Sequence, residues 1–119
     1  MAGASICHFE FMVSDVAKAK EFYKKVFDWT YEDWSGAMPY AMIKPDKEPG
    51  GGIMKKPDES PHFALSVYFQ VDDIDATLAK AKEAGGKVMF ERQPIPDMGS
   101  WAMFMDPDGI PVSIYEAKK

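Results

Sequence analysis

His8 and Glu10 are the residues whose types and spacing most readily do chemistry. In an extended strand, positions i and i+2 project from the same side, so a carboxylate there can orient an imidazole or stabilise its charged form. Three uses of the pair stay open from the residues alone: acid–base chemistry, hydrogen bonding in a wet cavity or polar subunit interface, and an atypical metal site completed by a partner chain. Cys7, the single cysteine, shares parity with Phe9 and Phe11 and reads as a small buried hydrophobe rather than a nucleophile. No phosphate-cradling glycine loop, HExxH or Ser/His/Asp order is present, and Gly50-Gly51-Gly52 reads as a strand that permits close backbone approach.

The elements that position this pair are duplicated. A shift of 58 residues places Phe11 on Phe69, Val13 on Val71, Asp15 on Asp73 and Val16 on Ile74. In the first copy Cys7, Phe9, Phe11 and Val13 alternate with His8, Glu10 and Met12, the period of a strand with one apolar face. Ser14 or Asp15 then caps a helix whose apolar stripe is Val16, Ala19, Phe22, Tyr23, Val26 and Phe27. The second copy repeats this with Val67, Phe69 and Val71, a cap at Asp72 or Asp73, and Ile74, Leu78 and Ala81 before Gly85-Gly86. Three strands are expected after each helix: 29–34, 40–44 and 51–55, then 87–90, 101–105 and 110–116. Turn residues separate them, among them Pro45-Asp46, the segment Pro94 to Gly99 and Asp106-Pro107-Asp108-Gly109, and Asp58 to Pro61 reads as the linker.

Composition bounds the function. The chain has 119 residues, 46% of them hydrophobic, enough for one domain with a real core. Fourteen Lys and Arg against 19 Asp and Glu, with no basic cluster, argue against nucleic acid. The longest apolar run, Trp101 to Met105, is far too short to cross a bilayer, and the amino terminus does not read as a secretory signal. A lone cysteine excludes an intramolecular disulfide, and the cytoplasm is the expected compartment.

These segments give the chain a resemblance to the vicinal oxygen chelate superfamily, which groups glyoxalases, bleomycin-resistance proteins and extradiol dioxygenases. The residues that carry it are His8-Phe9-Glu10-Phe11, Phe22-Tyr23, Trp34 to Tyr40 (WSGAMPY), Gly50 to Met54 (GGGIM), Val71 to Ile74, Ile95 to Gly99 (IPDMG) and Asp106 to Gly109 (DPDG). They are most similar to a branch of small, uncharacterised glyoxalase-like proteins. The resemblance implies an α+β domain over 1–119, built from two tandem βαβββ modules of about 1–57 and 62–119 that form a half-open mixed sheet around a concave cavity. It also implies a homodimer, and half-open sheets with exposed edges suit that expectation.

The metal enzymes of the superfamily hold a divalent ion with two histidines on the repeat strands and two glutamates on the closing strands. Here His8 stands at the first histidine position, Ser66 at the second and Ser113 at a closing-strand position, and no carboxylate lies at Gly51 to Ile53. His62 precedes Ser66 by four residues, about 13 Å along a strand, and is not counted as a ligand. No metal and no cofactor is therefore expected, with a divalent metal the poorly supported alternative.

Strand parity gathers His8, Glu10 and Met12 with Ser66, Tyr68 and Gln70 on the polar side, joined by Ser113 and Tyr115 of the last strand and by Tyr40 and Trp101 at the rim. His8 and Glu10 are the candidate catalytic groups, the other eight the candidate ligand-binding ones. The function expected is binding of a small, partly aromatic or carbonyl-containing molecule, with any reaction left open. The alternative is a metal-free protein that sequesters a drug or metabolite, and metal-dependent lyase, isomerase or dioxygenase chemistry is the least favoured.

Overall fold

The computed structural model describes residues 3–34, 40–57 and 65–118. Eight strands and two helices follow in the order β1 (Ile6–Val13), α1 (Val16–Phe27), β2 (Thr30–Trp34), β3 (Tyr40–Lys44), β4 (Gly50–Lys55), β5 (Leu65–Gln70), α2 (Ile74–Glu83), β6 (Lys87–Ile95), β7 (Gly99–Met105) and β8 (Pro111–Ala117). This is the strand, helix, three-strand order read twice from the sequence, in an α+β chain. The linker at 58–61, most of the WSGAMPY segment and His62 lie outside the described residues.

The chain forms two compact units, His8–Ser66 and Met1–Cys7 with Val67–Lys119. In the first, the strands are ordered β2-β3-β4-β1, with β1 parallel to β4 and the other pairs antiparallel. In the second the order is β5-β8-β7-β6, with β5 parallel to β8. Each opening strand thus lies beside the closing strand of its own repeat. The residues before His8 belong with the second unit, where Ser5 accepts a hydrogen bond from the Gln70 amide at 2.9 Å.

The repeat extends to the helix caps. Asp15 accepts from the Lys18 amide at 3.1 Å and Asp73 from the Ala76 amide at 3.2 Å, each carboxylate satisfying an amide that the first helical turn leaves without a partner. In the first unit Ala41, Ile43 and Ile53 are buried against Phe9, Phe11, Val13 and Tyr23. In the second, Val71, Ile74, Leu78, Ala102 and Ile114 form the core, with Phe69, Phe104 and Val112 packed on it. These are the parities expected for β1 and for Phe69, Val71, Val112 and Ile114 of the second repeat.

Three expectations need correction. The apolar stripe of α1 is only partly covered, since Phe22, Val26 and Phe27 are each more than half exposed. Val67, assigned to the helix-facing side, is also exposed. Finally, β6 does not stop at Phe90 but runs to Ile95, so Pro94 lies in a strand and the turn is confined to the residues before Gly99. A proline is tolerated there because β6 is an edge strand and owes no amide to a further neighbour. Register shifts between Val88 and Phe90 and between Phe90 and Gln93 break the alternation that the sequence would have shown. They turn Phe90 away from the core face of Val88 and onto Trp101, with ring centroids 5.4 Å apart.

Candidate functional site

The parity that sends Phe9, Phe11 and Val13 into the first core sends His8, Glu10 and Met12 to the opposite face of β1. The same rule applied to β3 and β4 puts Tyr40, Met42, Gly52 and Met54 on that face, because Ala41, Ile43 and Ile53 occupy the core side. Pairing fixes their order, with Glu10 beside Gly52, Gly52 beside Met42 and Tyr40 beside Met54. Gly52 is the middle of this row. A Cβ there would collide with the Tyr40 ring, so the absence of a side chain at Gly52 makes room for that ring.

Across that gap Tyr40 joins the two residues that sequence reasoning had paired only with each other. Its hydroxyl donates to Glu10 Oε2 at 2.8 Å and lies 2.8 Å from His8 Nε2. A tyrosine hydroxyl has one proton, and here it points at Glu10, so the oxygen accepts from His8 and the imidazole proton sits on Nε2. The His8 and Tyr40 rings are within 16° of parallel, and Trp34 meets Tyr40 edge-on at 6.4 Å. Half-buried Met12, Met42 and Met54 surround this polar chain with adaptable thioethers.

Burial pushes the His8 pKa below that of a free histidine, so the imidazole is neutral at neutral pH. The linkage has a definite sign. The unfolded chain takes up a proton at a higher pH than the folded one, so His8 contributes stability above the ordinary histidine pKa and that contribution is lost as pH falls through the folded value. Urea unfolding at pH 7.5 and 5.5 should therefore show a larger acid-induced loss for the wild type than for His8→Gln. Equal losses would remove His8 as the source.

The second unit carries Tyr68, Gln70, Trp101, Ser113 and Tyr115. Tyr68 pairs with Ser113, Gln70 with Tyr115 and Tyr115 with Trp101 across neighbouring strands. Ser113 is 2% exposed and therefore buried, whereas Gln70 is exposed and Tyr68, Trp101 and Tyr115 are half-buried. The Tyr115 hydroxyl donates to the Met98 carbonyl, which ties β8 to the turn before Gly99. Ser66 is half-buried on β5. The Cys7 thiol donates to the Tyr68 carbonyl at 3.5 Å, and burial raises its pKa, which keeps it protonated and a poor nucleophile.

Glu116 carries a polar role that sequence reasoning missed. It is 9% exposed, accepts the Ile74 amide at 2.8 Å and receives two hydrogen bonds from Arg92. Hydrogen bonds to Glu116 first, and to Asp75 next, hold the Arg92 pKa above its ordinary range. The sequence places Glu116 only at the end of the expected strand 110–116, and its partners Ile74 and Arg92 lie 42 and 24 residues away, so no local signal could have found them.

Among the described residues, the donors at this face do not make up the four-ligand set of the superfamily's metal enzymes. His8 Nε2 carries a hydrogen committed to Tyr40, and Glu10 Oε2 accepts one from it. Among the described residues no group of three or more His, Cys, Asp or Glu side chains is arranged to hold a metal ion. No helix among them is long and apolar enough to cross a membrane.

Comparison with known proteins places this geometry in context. The chain is 37% identical over 98 residues to a Mycobacterium tuberculosis protein named "Putative glyoxylase CFP32", covering 81% of this chain and 38% of that protein. A "Glyoxylase-like domain-containing protein" of Didymella fabae is 27% identical over 107 residues, 84% of each chain. The anthracycline biosynthesis protein DnrV of Streptomyces peucetius is 26% identical over 117 residues, 85% of this chain and 42% of that one. The chain thus spans well under half the length of the mycobacterial relative. Among solved structures, the hypothetical protein BH1468 of Bacillus halodurans superposes with a TM-score of 0.76 at 17% identity, over 98% of this chain and 96% of that one. Methylmalonyl-CoA epimerase of Mycobacterium tuberculosis superposes with a TM-score of 0.75 at 15% identity, over 96% and 88%. At such identities these two speak for the fold alone. The profile of the Glyoxalase/Bleomycin resistance protein/Dioxygenase superfamily matches residues 5–114, and the chain belongs to that superfamily.

Proposed function

We propose that the chain binds a small, partly aromatic or carbonyl-containing molecule against the face that carries His8, Tyr40 and Glu10, without a metal ion. The observation that carries this reading is the Tyr40 hydroxyl, held at 2.8 Å from both His8 and Glu10 on a strand face otherwise lined by methionines and Trp34. Thioether and indole surfaces accept planar ligands of varied shape, and a few fixed polar groups orient them. A relative named for the biosynthesis of anthracyclines, which are planar aromatic molecules, is in keeping with such a ligand. Action as a cytoplasmic homodimer belongs to the same proposal, and exposed Ile6 and Val67 are apolar surface that a second subunit could cover.

Turnover is the second reading, and the hydrogen-bonded chain itself favours it. With Nε2–H committed to Tyr40, the neutral imidazole can take one proton from an acidic position of the ligand at Nδ1, leaving an imidazolium balanced by Glu10 through Tyr40, and return that proton to the product. Titration of the wild type, His8→Ala and Tyr40→Phe with a panel of hydroxyaryl ketones and aldehydes tests both. We expect a ligand that raises the melting temperature and binds about tenfold more weakly to Tyr40→Phe, the scale of one lost buried hydrogen bond. Affinity unchanged in both variants would move the ligand away from this face. Product formed by the wild type and by neither variant would establish proton-transfer catalysis, and retained ligand without product would establish sequestration.

A further inference from the structure

We propose that the sheet face of the second unit at Trp101 is a binding site for an uncharged aryl carboxamide or lactam, a reading that does not depend on the His8–Tyr40–Glu10 face. Packing of Phe69, Ala102 and Ile114 into the core leaves Tyr68, Gln70, Trp101, Met103, Ser113 and Tyr115 on the opposite side of β5, β7 and β8. Strand pairing extends them across β6 and orders them into two rows. Tyr68, Ser113, Met103 and Phe90 form one row, and Gln70, Tyr115, Trp101 and Gln93 form the other. None of these eight side chains is charged, in a chain where 28% of the residues are.

The edge strand is distorted to produce that neutrality. Counting on without interruption from the Val88–Phe104 pair would bring Glu91 opposite Trp101, and the two register shifts of β6 bring Gln93 there instead. Bulges at sheet edges re-aim side chains in this way, often beside binding sites. Here they exchange a carboxylate for a carboxamide next to the indole, and they set Phe90 against Trp101 at 5.4 Å with a tilt of 52°. At that tilt the rings do not stack face to face, and Phe90 remains 47% exposed. Gln93 Nε2 donates to the Glu91 carbonyl at 3.1 Å, which orients the amide, with Oε1 as its acceptor. On the other side of Trp101 in the same row, Tyr115 is held by the bond from its hydroxyl to the Met98 carbonyl. An aromatic platform with an oriented amide acceptor beside it suits a planar ring that carries an N–H donor. A carboxylate in the same place would set oxygen against oxygen, with no cation in either row to balance it.

The probes are benzamide, its anionic isostere benzoate and the non-aromatic cyclohexanecarboxamide, each titrated against the whole chain by calorimetry. Benzamide is expected to saturate, with benzoate at least about tenfold weaker and cyclohexanecarboxamide about fivefold weaker. Trp101→Leu should weaken benzamide by about fivefold. Gln93→Met keeps the side-chain length on an edge strand and removes the acceptor, so it should weaken benzamide by about three- to tenfold and narrow its advantage over benzoate. If Trp101→Leu does not fold, Gln93→Met decides alone. His8→Ala should leave benzamide affinity unchanged, which separates this site from the ligand face of the first unit. Failure of benzamide to saturate, equal affinity for benzoate, or binding unaltered by Gln93→Met would each overturn the assignment. Loss of benzamide binding in His8→Ala would put the probe on the first unit's face and overturn it as well.

Discussion

Alanine in place of Gly52 is expected to expel the Tyr40 ring from its place between His8 and Glu10. The added Cβ would occupy the position of the ring's hydroxyl end, and Gly52 is held by pairing with Glu10 on one side and Met42 on the other, so the strand cannot retreat. The side chain must move instead. Both Tyr40 hydrogen bonds are then broken, and the ring loses its place on the strand face. The expected cost is about 1–3 kcal/mol in urea unfolding, the range of an overpacked site, together with loss of binding at this face. A double-mutant cycle identifies the cause. In a Tyr40→Ala background Gly52→Ala should cost little, because nothing remains for the methyl to displace. The same penalty in both backgrounds would show that Gly52 is needed for the strand and not for the tyrosine.

How Gly52 serves the site also shows where sequence reasoning stopped. The alternation of Cys7 to Val13 placed His8 and Glu10 on one face, and the 58-residue repeat located both helix caps, because strand period and capping chemistry are local properties. The sequence offers Tyr40 as a candidate binding residue at the rim, yet its position between His8 and Glu10 depends on the pairing of β3 with β4 and of β4 with β1. Register of that kind is set by three strands packing together. The extent of β6 was hidden for a related reason: two register shifts erase the period that defines a strand, and Pro94 resembles a turn signal unless the strand is known to lie at an edge. In α1 the apolar spacing was read correctly as a stripe, but spacing alone does not say how wide a surface the sheet covers, and Phe22, Val26 and Phe27 remain outside it.

The second large effect is expected at Glu116, where a buried carboxylate does the work of a helix cap from a distant strand. Ile74 is fully buried at the start of α2, and its amide, one of those that the first turn leaves without an intrahelical partner, donates to Glu116 Oε1 at 2.8 Å. Asp73 satisfies a different amide, that of Ala76, so the two carboxylates are not interchangeable. Arg92 secures Glu116 with bonds of 2.9 and 3.1 Å and continues to Asp75 at the exposed side. Glu116→Ala removes the acceptor from a buried amide and the negative charge from a helix amino terminus together, and should cost about 2–3 kcal/mol in urea unfolding. Glu116→Gln keeps an oxygen for Ile74 and should lose about half as much. Asp75→Asn breaks only the exposed part of the network and should fall below about 0.5 kcal/mol. The order of the three distinguishes a cap from a surface ion pair. If Glu116→Ala costs no more than Asp75→Asn, or if its effect disappears in 0.5 M salt, as for a screened surface charge at about that concentration, the carboxylate is not what holds α2 to β8.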